Sequence, residues 1–149
     1  MIDIESKVFD TIFNAVTAVY PNADVTTGYD EKTAVFPCVV VEETGNSPYR
    51  QSATDDCSEN HARISYDVNI YTDNTGNAKT TGKEILKIVD TALQGLKFRR
   101  VHRNQPLNIN RTIFRQYGRW EVIVSKPVIR TDTVNGQPVE TEVYQMYRR

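Results

Sequence analysis

Four side chains carry the strongest intrinsic chemistry in this sequence: Cys38, Cys57, His61 and His102. A structural zinc site would draw such ligands into a closed tetrahedron, at C-x-x-C or H-x-x-x-H spacing. Neither spacing occurs here. A cysteine nucleophile needs a base and an electropositive, accessible setting. Cys57 has His61 four residues on, but Asp55, Asp56 and Glu59 surround it, and acidic neighbours raise a thiol pKa. Cys38 sits in the apolar run Phe36-Pro37-Cys38-Val39-Val40-Val41 and reads as a small buried hydrophobe. The carboxylate pairs Asp55/Asp56 and Glu140/Glu142 have no apolar flanks to set their pKa values apart for acid–base work. Gly76 and Gly82 lack the Gly-Lys-Ser/Thr ending of a phosphate loop, and Gly82 reads instead as an allowance for close helix packing. No catalytic, cofactor-binding or metal constellation converges, so the expectation is a protein that is not an enzyme and carries no cofactor.

The residues that do cluster by chemistry are charged. Lys97, Arg99, Arg100, Arg103, Arg111, Arg115 and Arg119 follow one another with no Asp or Glu among them. Upstream, Glu42, Glu43, Asp55, Asp56 and Glu59 gather around Arg50, so the formal net charge of −1 hides a strong asymmetry, which points to a partner surface. Phe98, Phe114, Tyr117 and Trp120 interleave with the arginines. That pattern suits stacking of unpaired bases beside phosphate-neutralising charge. It equally suits aromatics turned to the core, with arginines on a solvated face or paired with acids across a subunit boundary.

The elements that position these residues follow from periodicity. With 149 residues, 39% apolar and 25% charged, the chain reads as one globular domain needing no metal or disulfide. The N-terminus carries Asp3 and Glu5 and no long apolar run, which predicts neither a secretory signal nor a membrane anchor, and folding in a reducing cytoplasm. Ile64, Tyr66, Val68 and Ile70 alternate with Arg63, Ser65, Asp67 and Asn69, the period of a strand with one buried face. After a turn at 73–76, Ala78, Gly82, Ile85, Leu86, Val89, Ala92, Leu93 and Leu96 form the stripe of an amphipathic helix, with Lys79, Lys83, Lys87, Asp90 and Gln94 on a solvated flank. A first helix is expected over 3–20, with Asp3 or Ser6 capping it and Pro21 ending it. Its wide apolar face, built on Ile4, Val8, Ile12 and on Phe9, Phe13, Val16, predicts burial against more than one neighbour.

Residues 22–32 read as a connection, 33–43 as a strand, and 44–60 as a long polar loop that projects or orders on a partner. From Phe98 an exit segment leads to a hairpin over 107–124 that turns at Gly118. Two further strands, 128–134 and 139–147, flank Asn135-Gly136, the favoured centre of a type I′ hairpin turn. That ribbon is polar, and an isolated hairpin is marginal in water, so it is expected to pack on a neighbour. The fold class is therefore α+β: a mixed or antiparallel sheet packed against two helices, with a projecting C-terminal β-hairpin.

This order resembles the tail terminator (tail completion) proteins of long-tailed bacteriophages. Phe36-Pro37-Cys38-Val39-Val40-Val41-Glu42, Tyr66-Asp67-Val68-Asn69-Ile70-Tyr71-Thr72, Gly82-Lys83-Glu84-Ile85-Leu86-Lys87-Ile88-Val89-Asp90 and the closing residues 144–149 carry the resemblance. It implies a homo-oligomeric ring, typically a hexamer, that caps the tail tube, ends its polymerisation and joins the tail to the head connector. Its partners would be further copies of itself, the tail tube protein and the connector protein, with genome DNA passing through the lumen without sequence-specific binding. No membrane is implied. Such a protein would be made in the bacterial cytoplasm and reside in the virion.

A ring needs one patch to meet a different patch on the next copy. The acidic set Glu42, Glu43, Asp55, Asp56 and Glu59 and the basic set Lys97, Arg99, Arg100, Arg103, Arg111, Arg115 and Arg119 are the expected pair. Tyr49 and Arg50 in the loop and Val134, Asn135 and Gly136 at the hairpin tip are the expected arms toward tube or connector. A head-completion or neck protein of the same virion, or a small nucleic-acid-binding domain using 97–119, remain alternatives.

Overall fold

The computed structural model describes residues 1–28, 35–52, 59–73, 76–106 and 112–147. Helix α1 (Glu5–Val19) starts where the Glu5 amide donates to the Asp3 carboxylate at 2.9 Å, and ends before Pro21. Strand β1 (Asp24–Thr26) lies in the segment read as a connection and runs parallel to β2 (Cys38–Pro48). Strand β3 (His61–Asp73) and helix α2 (Ala78–Gly95) are the expected strand and helix. Strands β4 (Arg99–Asn104), β5 (Ile113–Ser125), β6 (Val128–Val134), β7 (Gln137–Val143) and β8 (Met146–Tyr147) complete the described elements.

The main sheet has the order β1-β2-β3-β5-β4, with β8 pairing with β5, and the hairpin β6-β7 forms a second, two-stranded sheet. All pairings other than β1 with β2 are antiparallel. Both helices contribute to the core over one face of the main sheet: Val8, Ile12 and Val16 of α1 and Ile85, Leu86, Val89 and Leu93 of α2 pack with Val39, Val41, Ala62, Ile64, Tyr66, Val68, Ile70, Trp120, Val122 and Val124. The mixed sheet, the two helices and the separate C-terminal hairpin are the architecture expected from the sequence. No helix among the described residues is long and apolar enough to cross a membrane.

The strand expected over 139–147 is two: β7 ends at Val143, and Met146–Tyr147 leave the hairpin to pair with β5, Met146 opposite Val124. Besides this and β1, the boundaries differ from expectation at three places, each for a physical reason. The strand expected over 33–43 continues to Pro48, so the long polar loop begins later. Gly45, Asn46, Ser47 and Pro48 pair with Ser65, Ile64, Arg63 and Ala62, past an irregularity in register between Glu43 and Gly45. They carry no apolar alternation to mark a strand, but the backbone ladder and a bond from the Asn46 side-chain amide to the Ile2 carbonyl at 2.9 Å hold them. Next, the exit segment is an edge strand: β4 pairs with β5 from Arg99 opposite Glu121 to Asn104 opposite Tyr117.

Third, Gly118 is no turn. β5 runs straight through it, and the absent side chain makes room for an indole, since a Cβ there would lie 2.4 Å from Cη2 of Trp120. The strand expected from Leu107 falls on 107–111, outside the described residues. Gly82 does serve close packing, because a Cβ there would meet Cγ of Gln116 at 3.2 Å. Asp90 is also not on a solvated flank. Its Oδ1 accepts the Trp120 indole N–H at 2.9 Å and its Oδ2 accepts from Arg100 and Gln94, which ties α2 to β4 and β5.

Candidate functional site

The sheet face away from the helices carries the first group of candidate residues. Strand alternation sends Ala62, Ile64, Tyr66, Val68 and Ile70 into the core and leaves Asp67 and Asn69 on the opposite face. There Asp67 is held from three sides. Arg119 forms a two-pronged pair with it, Nε to Oδ1 at 2.7 Å and Nη2 to Oδ2 at 2.8 Å. The Tyr117 hydroxyl donates to Oδ2 at 2.9 Å. Burial opposes ionisation of this carboxyl, but the hydrogen bonds from Arg119, Tyr117 and Thr44 and the Arg119 charge outweigh it, so its pKa lies below the ordinary value. The same contact raises the pKa of Arg119.

One strand position pair along, Arg115 donates to the Asn69 carbonyl oxygen through Nε at 2.9 Å and Nη2 at 2.7 Å, and its guanidinium lies 5.8 Å from the centroid of the Tyr71 ring. These contacts use up the expected interface arginines of β5 within their own sheet. Sequence reading counted the charges but missed the network. Its signal was present in the even spacing of Asp67 and Asn69 on one strand and of Arg115, Tyr117 and Arg119 on another, which places all five on one face.

The other sequence-predicted residues separate. Arg100 donates to Asp90 at 2.8 Å, on the helix side. Glu42 and Glu43 occupy successive strand positions and so point to opposite faces, and Glu43 accepts the Tyr66 hydroxyl at 2.8 Å. Glu59 lies 3.2 Å from the N-terminal ammonium. Asp55, Asp56 and Arg111, like Cys57, lie outside the described residues. Among the described residues the acidic set is thus spread over several surroundings. Arg50 opens a single 3-10 turn, Arg50–Ser52, and is exposed. Tyr49 is pinned to β3, its amide donating to the His61 carbonyl at 2.8 Å, so it is part of the sheet's end and not of a projecting arm.

What remains open at the surface is the β4 edge and the hairpin. Every residue of β4 is exposed, including Arg99, Val101, His102 and Arg103, and Lys97 stands just before the strand with a positive φ of 66°. Every residue of β6 and β7 is exposed as well. At the tip, Asn135 and Gly136 take φ values of 52° and 77°, as a type I′ turn requires, with Val134 opposite Gln137. The pairs Val128–Val143, Arg130–Thr141, Asp132–Val139 and Val134–Gln137 share one face of the hairpin, which therefore displays four valines. The other face carries Ile129, Glu140 and Glu142.

No family model matches the chain, and no curated protein matches it. The chemistry of the surfaces has to be read from the chain itself. No group of three or more metal-ligating side chains occurs among the described residues. Cys38 is buried beside Val40, Tyr71 and Ile113, and burial, with the charge of Asp24, pushes its thiol up to about 11. A thiol so placed is a hydrophobe and a poor nucleophile. Phe98 and Trp120 are wholly buried, so two of the four aromatics interleaved with the arginines cannot stack on bases.

Proposed function

We propose that the chain is a structural subunit of a long-tailed bacteriophage, a ring-forming tail terminator that caps the tail tube, ends its polymerisation and meets the head connector. The observation that carries this reading is the hairpin β6-β7. It leaves the end of β5, makes no substantial contact with any other described element, and exposes Val128, Ile129, Val134, Val139 and Val143. A two-stranded ribbon with that much apolar surface gains its stability by lying on another molecule. A neck protein of the same virion would use the same surfaces, so the distinction rests on the partner. Nucleic-acid binding as the main role is the weaker reading, given the burial of Phe98 and Trp120 and the internal pairing of Arg100, Arg115 and Arg119.

Native mass spectrometry with negative-stain imaging tests this: the expected result is a closed ring of identical subunits. Removing residues 134–138 should leave a folded domain that no longer completes tails in an assembly reaction with purified tubes. Normal completion by that deletion protein would remove the hairpin from the mechanism.

A further inference from the structure

We propose that the sheet face away from the helices carries a nucleotide site at its His61 end, where Arg50 and Arg63 take the phosphate and the rings of Tyr49, His61 and Tyr147 take the base. The site does not depend on the self-assembling reading above, and it lies outside the basic segment 97–119.

Strand register assembles it. Ser47 pairs with Arg63, Arg63 with Ile123 and Ile123 with Tyr147, so these side chains form one row across β2, β3, β5 and β8. Paired residues in a ladder point to the same side, and this row shares the parity of Asp67 and Arg119, which puts it on the face away from the helices. His61 stands two residues before Arg63 on that face. Tyr49 continues the pairing past the end of β2, its amide donating to the His61 carbonyl at 2.8 Å, and so sits beside His61. Three rings and a guanidinium thus occupy two neighbouring rows.

Two clefts meet on this patch. One, of about 190 Å³, lies between Tyr49, His61, Ile123 and Tyr147. The other, of about 270 Å³, lies between Ser47, Tyr49, Arg50 and Arg63. Tyr49 is a wall of both.

The side chains there are not spent on one another. Among the described residues neither Arg50 nor Arg63 has an ion-pair partner, and neither guanidinium lies over a ring as that of Arg115 does over Tyr71. The Tyr49 and Tyr147 hydroxyls are bonded locally, to Gln51 and Gln145, which holds each ring by its tip. The His61 ring lies against the Tyr147 ring at 5.7 Å between centroids and 58° between planes, and Tyr147 remains 44% exposed. The turn beneath is fixed as well, since the Ser52 amide and hydroxyl both donate to the Tyr49 carbonyl at 3.0 Å. A site built in advance loses less entropy on binding.

The chemistry selects the ligand. Aromatic side chains on a sheet surface suit an unstacked base, because every base offers a π-face. Two guanidiniums, with no acid among the described residues of either cleft, suit phosphate, which arginine holds through paired N–H donors. A simple anion would leave the rings unused, and an uncharged ring would leave the arginines unused. Glu121 occupies the next row, opposite Ser65, and its charge bounds the site on that side. The site therefore takes a single nucleotide, either free or at the end of a strand.

The test is fluorescence polarisation of a labelled, 5′-phosphorylated oligothymidylate at low salt, with wild type, Arg63→Glu, Tyr147→Ser and, on β4, Arg103→Glu, each checked for folding by circular dichroism. Wild type should bind at or below about 100 μM, the weak end of non-specific nucleic-acid binding. Arg63→Glu and Tyr147→Ser should each weaken binding about tenfold or more, while Arg103→Glu leaves it nearly unchanged. Amide chemical shifts of the wild type should move at His61, Arg63, Ile123 and Tyr147. Thymidine monophosphate separates the two sources: if it displaces the probe the ligand is a free nucleotide, and if only unlabelled strand does so the ligand is a strand end. No binding by folded wild type, equal losses in Arg63→Glu and Arg103→Glu, or equal displacement by an acidic tyrosine-containing peptide overturns the site.

Discussion

At the scale of single residues, Asp67 decides most about the open face of the sheet. It is 8% exposed, yet it is ionised, because Arg119, Tyr117 and Thr44 direct hydrogen bonds at its oxygens. Asp67→Asn removes charge-assisted hydrogen bonds from Arg119 and Tyr117, but the partly exposed Arg119 keeps its access to water, so the change should cost about 1–2 kcal/mol in urea unfolding at neutral pH. The pH dependence has a defined sign. A carboxyl whose pKa is lowered by folding stabilises fully above its unfolded pKa of about 3.9, and that contribution fades as pH falls through the folded value. The gap between wild type and Asp67→Asn should therefore close in acid, starting below about pH 4. A gap that stays constant from pH 7 to pH 3 would show that the carboxylate charge does not carry the effect.

At the scale of elements, helices and core strands were legible because their side chains alternate in kind. The stripe from Ala78 to Leu93 and the alternation in β3 each state their period and the face that meets the helix–sheet core. The single buried face expected of β3 holds only as far as Tyr66; from there to Thr72 both faces are buried, Tyr71 packing with Cys38, Val40 and Ile113 on the far side. Strands held by backbone alone were not legible. β4 is exposed throughout and has no buried parity to reveal it, and the end of β2 is polar. Gly118 misleads in the other direction, since a glycine flanked by polar residues reads as a turn when its role is to admit the Trp120 ring. That role is testable. Gly118→Ala puts a methyl where the ring lies, and overpacking of a fixed aromatic costs about 1–3 kcal/mol. Urea unfolding followed by the fluorescence of the single Trp should show the loss. An unchanged midpoint would mean that Trp120 moves aside without cost.

At the scale of the whole molecule, a formal net charge of −1 means that copies scarcely repel one another, so association is governed by where charges lie. The sequence made the asymmetry visible but not its partners. The upstream acids are engaged elsewhere, Glu43 by Tyr66 and Glu59 by the N-terminus, whereas Glu140 and Glu142 stand exposed on a strand after the arginines, Glu142 bonded to the Tyr144 hydroxyl. Two forces then act at a boundary between copies, and salt separates them. Exposed ion pairs are screened over about 10 Å at 0.1 M salt and over about 3 Å at 1 M, while burial of the hairpin valines is little affected by sodium chloride and is strengthened by sulfate. Assembly followed by light scattering should thus weaken as sodium chloride rises toward 1 M and recover in ammonium sulfate of equal ionic strength. If both salts weaken it alike, the valines of β6 and β7 contribute nothing to the contact; if neither does, exposed charges are not what joins the copies.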